Sequence, residues 1–157
     1  MSDADIVARL EVELARLVLE HFDHNDAWAL GCALVELAQE RSHPVAIDIH
    51  LGRQQVFHAA LPGSSAENDL WIARKRAVVE LTGEPSYLVG RRHAAAGTDF
   101  HELTGLPVRD YATHGGAVPI LVRSVGPVGV AAVSGLAQAD DHALVVEAIE
   151  QMFEVGE

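Results

Sequence analysis

The chain has 157 residues, and its 23 Asp and Glu against 11 Lys and Arg give a formal charge of −12. This length, together with a hydrophobic fraction of 49%, favours one globular domain over residues 1–157 and excludes a disordered chain. The negative charge argues against nucleic acid and anionic membranes as partners. No run of about 18 apolar residues predicts a membrane span, and the acidic N-terminus differs from a signal peptide, so we expect a cytoplasmic protein.

Hydrophobic spacing predicts helices in both halves of the chain. Apolar residues recur three and four positions apart, as on the buried stripe of an amphipathic helix. The predicted helices cover 4–21, 26–41, 67–82 and 85–95, with a last one beginning near Ala139. Trp28 and Cys32 are expected on the buried side of the second helix. Leu70 and Leu81 belong to the expected apolar stripe of the third.

Two stretches alternate with period two, which predicts two hairpins. Their strands cover 45–51 with 54–61 and 117–123 with 127–134. In the first hairpin a two-residue turn would place Ile49 opposite Val56, with His58 on the core face and Phe57 pointing away from it. Hairpins without βαβ crossovers favour the α+β class, a mainly antiparallel sheet with helices packed on it. Residues 96–116, punctuated by Gly, Thr and Pro, are expected to be irregular.

The first candidate site is the segment His114-Gly115-Gly116, just before the second hairpin. Adjacent glycines leave backbone N–H groups open, so that a carboxylate or another anion could approach closely. His114 could act as a ligand or as a general base. A tight turn into the strand, capped by His114, explains the same residues.

The second candidate lies where a strand meets the last helix, a common place for polar groups to contact a ligand. Ser134 and Gly135 occupy this junction. Ala132 stands where a nucleophile elbow requires glycine, which disfavours a serine hydrolase. His142, in the first helical turn, suits a neutral hydrogen-bonding role, and both a catalytic and a structural role are open.

The third candidate is the helix over 67–82, in which Trp71 and Lys75 are four residues apart and share a face. The basic run 74–76 could receive an acidic ligand or an acidic neighbouring subunit. A solvated helix face, with the Lys75 stem lying over Trp71, is the simpler alternative.

No motif in the chain predicts a metal site. The nine histidines include no His-Glu-x-x-His pattern, and a single cysteine excludes a thiolate zinc cluster. Asp48 and His50 share a strand face and could ligate an ion, but an exposed polar face explains them equally well.

Three motifs together resemble the GlcG/HbpS-like haem-degrading domain family, and within it a branch of small cytosolic proteins. They are Asn68-Asp69-Leu70-Trp71-Ile72 with Arg74-Lys75, His114-Gly115-Gly116 with Pro119-Ile120, and Val133-Ser134-Gly135-Leu136 with Gln138 and Asp141-His142. The resemblance covers about residues 5–155. It implies a profilin-like α+β domain with a five-stranded antiparallel sheet flanked by helices, the fifth strand lying near Val108–Thr113. It also implies a homo-oligomer, typically a ring of dimers.

The leading hypothesis is therefore an oligomeric protein that binds a small ligand, either haem or another small acidic molecule. The expected pocket residues are Trp71, Lys75, His114, Gly115, Gly116, Ser134 and Gly135. Lys75 and backbone amides would bind anionic groups, Trp71 would form a flat apolar wall, and His114 is the candidate axial ligand of haem iron. One alternative is an enzyme, haem-degrading or acting on a small metabolite, with His114 or His142 as acid/base. The other is a non-catalytic assembly module whose motifs build subunit interfaces.

Overall fold

A five-stranded sheet between helices organises the computed structural model, which describes residues 1–156 and side chains through residue 153. The elements of this part of the chain are α1 (Asp3–Arg16), β1 (Val18–Leu19), α2 (His24–Glu40), β2 (Ala46–Leu51), β3 (Gln54–Ala60), α3 (Ala66–Thr82), α4 (Ser86–Ala96), α5 (Phe100–Thr104), β4 (Ala117–Val122), β5 (Gly126–Ser134) and α6 (Gln138–Gly156). The strand order is β1-β4-β5-β2-β3, with β1 parallel to β4 and the other pairs antiparallel. The predicted α+β class, with a mainly antiparallel sheet flanked by helices, is confirmed. Among these helices none is long and apolar enough to cross a membrane.

Side-chain caps determine where the first two helices begin. Ser2 and Asp5 form a capping box at the start of α1, and Asp23 and Asp26 form another at the start of α2. In each box a side chain accepts a hydrogen bond from a backbone N–H that has no partner inside the helix. The second helix accordingly begins at His24, two residues before the predicted start.

Both faces of the central strands are covered. The main core lies between the sheet and the helices α2 and α6, and it includes Leu30, Leu34, Ile47, Ile49, Ile120, Val133 and Ile149. A smaller cluster between the opposite face and α3 consists of Ala46, Ile72, Val79, Ala117, Val130 and Ala132. Neighbouring residues of β2 and β5 belong to different clusters, because successive side chains point to opposite faces of a sheet.

The fifth strand lies where the sequence predicted the end of a helix. The first helix ends at Arg16 instead of residue 21, and β1 then pairs in parallel with β4. Leu17 and Leu19 become buried by this pairing, so tertiary contacts outweigh the helical spacing. The strand expected near Val108–Thr113 is wrong, since residues 108–110 form a turn and 111–113 are irregular. The short helix α5 also interrupts the region predicted to be irregular.

A β-bulge changes the predicted register of the first hairpin. The pairing shifts between Ile49 and His50, so that Ile49 faces Phe57 instead of Val56. One extra residue reverses the alternation of side chains along the rest of the strand. Phe57 therefore packs against the main core, and His58 is exposed on the opposite face. The predictions that Phe57 points away from the core and that His58 is a core histidine are both wrong.

The exposed faces of α2 and α3 also differ from prediction. Trp28 is 64% exposed and Cys32 is exposed, whereas Leu30, Leu34 and Leu37 of the same helix are buried. On α3, Leu70 and Leu81 are 67% and 55% exposed. The buried stripe of α3 contains Lys75 instead, whose amine finds hydrogen-bond partners inside the protein.

Gly31 allows α2 to lie against β3, because a Cβ at this position would overlap the Phe57 ring. We expect Gly31→Ala to lower the free energy of unfolding by about 1–3 kcal/mol, the usual cost of overpacking. The helix propensity of alanine acts in the opposite direction by about 1 kcal/mol. Urea denaturation measures the change, and the exposed neighbour Cys32→Ala should stay within about 0.5 kcal/mol. A Gly31→Ala variant more stable than the parent would contradict this packing.

Candidate functional site

The three candidate segments meet at one cavity of about 380 Å³, within the size range of small-ligand pockets. They meet because the end of β5 and the start of β4 lie side by side in the antiparallel sheet, next to the start of α6. The lining residues are Glu67, Asn68, Trp71, Lys75, His114, Gly115, Ser134, Gly135, Leu136, Gln138 and Asp141. Gly116, the remaining predicted pocket residue, lies directly behind this lining, against the Lys75 amine.

The ammonium group of Lys75 is buried at this cavity, and the residue is only 2% exposed. Its Nζ donates to the backbone oxygens of Gly115 at 2.9 Å and Val133 at 2.7 Å. It also donates to Asp141 Oδ2 at 3.4 Å. An ammonium group has three N–H donors, so none is left for a ligand. Lys75 instead ties α3 to the segment before β4, to the end of β5 and to α6.

Asp141 belongs to one of the family motifs but was not among the expected pocket residues, although it lines the cavity. Its carboxylate accepts from Lys75 and from the backbone N–H groups of Leu136 at 2.9 Å and Gly135 at 3.4 Å. Burial raises the pKa of Asp141 to about 6, although Lys75 and the backbone donors act against the shift. Burial also shifts the pKa of Lys75, which it lowers, while the nearby Asp141 carboxylate acts to raise it. The sequence signal was an aspartate in the first turn of the last helix, which macrodipole stabilisation alone also explains.

The two glycines before β4 let the chain pack against itself. The N–H group of Gly115 donates to Gln138 Oε1 at 3.0 Å, and a Cβ on Gly115 would overlap the Gln138 backbone. Gly116 has a φ of 132° and leaves no room for a Cβ beside the Lys75 amine. The amides of Gly115, Gly135 and Leu136 are therefore already bound within the protein and are not available to an anion.

His114 and Trp71 form the open rim of the cavity. Their ring centroids are 5.0 Å apart at an angle of 72°, and the Arg74 guanidinium lies 4.3 Å from the Trp71 ring centre. Within residues 1–156 neither ring nitrogen of His114 has a hydrogen-bond partner, so the turn-capping alternative has no contact to support it. Partial burial and the nearby cations Lys75 and Arg74 lower the pKa of His114. The lowered pKa favours the neutral imidazole at pH 7, and the neutral ring keeps a free lone pair.

A second hollow of about 520 Å³ adjoins the cavity at Trp71. Arg74 and Arg109 both line it, with Glu67 and Asp110 opposite. Arg109 extends into solvent with its side chain 86% exposed. Unlike the Lys75 ammonium, these guanidinium groups line an open hollow beside the cavity, although Arg74 also donates to the Val108 backbone oxygen and Arg109 pairs with Asp110.

Ser134 and His142, two of the other predicted residues, both form side-chain hydrogen bonds, but only Ser134 lines the cavity. Ser134 lines the cavity, and its Oγ accepts from Asn68 Nδ2 at 3.3 Å. His142 is only 3% exposed and lies outside the cavity lining, where its Nε2 bonds to Glu13 Oε1 at 2.6 Å. Its position between α1 and α6 corresponds to the structural alternative.

Comparison with known proteins gives consistent family matches. The family model described as "Haem degrading protein HbpS-like" matches residues 22–150. A UPF0303 protein of Streptomyces coelicolor is 58% identical over 154 residues, which cover 98% of this chain and 96% of that protein. The crystal structure of the Ybr137w protein matches with a TM-score of 0.87 and 32% identity over 96% of this chain and 90% of that one. The PduOC:haem complex matches with a TM-score of 0.69 over 82% of this chain and 93% of that one, and its 20% identity shows the fold alone.

The raised pKa of Asp141 makes the free energy of unfolding depend on pH. Between about pH 4 and pH 6 the folded protein keeps this carboxyl protonated whereas the unfolded chain loses the proton, so its contribution to the free energy of unfolding falls as pH rises. Asparagine cannot titrate. We therefore expect the free energy of unfolding of the parent, minus that of Asp141→Asn, to fall from pH 4 to 6 and then level off.

Urea denaturation at half-unit pH steps measures this difference. Asp140→Asn, at the exposed neighbouring position of the same helical turn, is the matched control and should show no such fall. A difference between the parent and Asp141→Asn that rises with pH would contradict the raised pKa.

Proposed function

The chain belongs to the HbpS-like haem-degrading family, and from this premise we propose that it binds haem, or another small acidic molecule, at the cavity bordered by His114 and Trp71. The observation that carries the proposal is the imidazole of His114. It lines the cavity beside the ring of Trp71, has no hydrogen-bond partner among the described residues, and its lowered pKa favours the neutral form at pH 7.

The residues around the rim fit the chemistry of haem. A neutral imidazole nitrogen is a common ligand of haem iron, and His114 offers one. The guanidinium groups of Arg74 and Arg109, in the adjoining hollow, suit the two carboxylates of such a ligand because guanidinium and carboxylate form charge-assisted hydrogen bonds. Haem would supply redox chemistry when bound. Lys75 contributes by holding the Gly115 backbone in place and not by contacting the ligand.

Binding is favoured over acid–base catalysis by the placement of the histidines. Of the two considered as acid/base, only His114 lines the cavity. His142 is buried against Glu13 and Tyr87 and is not among the residues that line this cavity. An enzyme acting on a metabolite here would therefore depend on His114. The one unprotonated nitrogen of the His114 ring would have to accept a proton in one step and return it in another.

Self-assembly is the second part of the proposal, with a ring of dimers as the expected form. Large apolar side chains at the surface support it: Trp28 is 64% exposed, Leu70 67% and Val108 58%. In the assembly-module alternative Trp71 and Lys75 build the subunit interface. The burial of Lys75 within one chain removes it from that role. A cytoplasmic location stays a prediction from the sequence.

A haemin titration of the purified protein, followed by Soret absorbance, tests ligand binding. We expect a saturable band at one haemin per chain. The replacement His114→Ala should weaken binding about tenfold or more, which corresponds to at least about 1.4 kcal/mol. Because the lowered pKa keeps His114 neutral, affinity should be the same at pH 7 and pH 8.

The matched control for this titration is His24→Ala. His24 is exposed and bonds to Gln54 at the hairpin, away from the cavity. Equal affinity for haemin in the parent, in His114→Ala and in His24→Ala would remove His114 from the binding site. Non-saturating absorbance in the parent would remove haem as the ligand.

Native mass spectrometry and sedimentation velocity test self-assembly. One chain has a mass of 16.8 kDa, and a ring of dimers predicts species with an even number of chains. Sedimentation at micromolar concentration should show one such particle. A single 16.8 kDa species by both methods would contradict the assembly.

A further inference from the structure

A separate polar hollow of about 450 Å³ lies on the sheet surface beside α3. Strands β2 and β3 form one wall and α3 forms the other. Its lining residues are Asp48, His50, Gln55, His58, Asp69, Ile72, Ala73 and Arg76. None of them lines the cavity at His114, so the proposed haem site leaves this cluster unexplained.

Each of the two histidines in this hollow is oriented by a carboxylate. His50 Nδ1 lies 2.8 Å from Asp48 Oδ2, and His58 Nε2 lies 2.8 Å from Asp69 Oδ1. An ionised carboxylate only accepts hydrogen bonds, so these nitrogens carry the proton. In the neutral form of each ring the opposite nitrogen, Nε2 of His50 or Nδ1 of His58, carries the lone pair. Metal-binding histidines are oriented by the same carboxylate contact.

The strand register brings the two imidazoles to the same hollow. His58 pairs with Asp48 across the two strands, and His50 lies two residues further along β2. Both side chains therefore point to the same face of the sheet and line one hollow. The β-bulge after Ile49 is the reason that His58 is on this face.

The charges around the hollow favour a cation. Asp48 has a side chain only 3% exposed, and it accepts from Arg76 Nη1 at 3.2 Å and from Gln55 Nε2 at 2.6 Å. Arg76 also bonds to Glu80 at 3.1 Å. The carboxylates of Asp48, Asp69 and Glu80 thus outnumber the single guanidinium.

We propose that His50 and His58 form a two-imidazole site for a late first-row divalent cation, Cu²⁺, Ni²⁺ or Zn²⁺. Imidazole nitrogen suits these ions, and Cu²⁺ binds most tightly among them. Among the side chains described, those of residues 1–153, no three of His, Cys, Asp or Glu are placed to hold a metal, so solvent would complete the coordination. Asp48 and Asp69 act as positioning residues that hold the imidazoles.

Electron paramagnetic resonance of tag-free protein with one equivalent of Cu²⁺ at pH 7.5 tests the proposal. The splitting pattern counts the nitrogen ligands, and we expect two in the parent. His50→Gln and His58→Gln should each show one nitrogen and bind Cu²⁺ at least tenfold more weakly by calorimetry. Asp69→Asn should keep both nitrogens but weaken binding about tenfold, the usual effect of losing such a partner.

The matched control is His21→Gln, because His21 also bonds to a carboxylate, Asp26 at 3.0 Å, but lies outside this hollow with its side chain 79% exposed. It should bind Cu²⁺ like the parent, and so should His114→Ala, which separates this site from the haem site. Circular dichroism confirms that each variant folds. Unchanged nitrogen counts and affinities in folded His50→Gln and His58→Gln would overturn the proposal, as would loss of the signal in His21→Gln.

Discussion

The hydrogen bonds of one buried ammonium group connect most of the elements around the candidate site. Lys75 Nζ joins α3 to the backbone before β4, to the last residues of β5 and to Asp141 of α6. Asp141 in turn accepts from the amides that follow β5. Burying a charge is costly unless it is paired and hydrogen-bonded, and this arrangement meets both conditions. The rim residues His114 and Trp71 owe their relative position to these internal contacts.

This arrangement explains why the site could be found from the sequence while the roles within it could not. Six of the seven expected pocket residues line one cavity, because all of them belong to the three motifs that the sequence singles out. Lys75, however, stands between two arginines, and such a basic run normally indicates a solvated surface. Its burial depends on acceptors about forty or more residues away, which no local pattern reveals. The same holds for the Gly115 amide, whose acceptor belongs to α6.

The fold shows the same division between local and distant causes. Hydrophobic period and turn residues predict four of the five strands and place most of the helices within a few residues. The errors arise where a distant partner decides the outcome. Residues 18–19 carry helical spacing but pair with β4, and one bulge residue exchanges the environments of Phe57 and His58. A bulge adds a residue without changing composition, so the alternation alone cannot indicate it.

The parallel pairing of β1 with β4 also has a consequence for folding kinetics. Val18 pairs with Leu121, so this edge of the sheet closes only when two segments about a hundred residues apart in the chain meet. Contacts between distant positions slow the search for the native state, because chain entropy is lost before the contact forms. On the ribosome β1 is synthesised well before β4, so β1 has no partner strand until β4 has emerged. Late closure of this edge would leave β4 transiently open to pairing with another nascent chain.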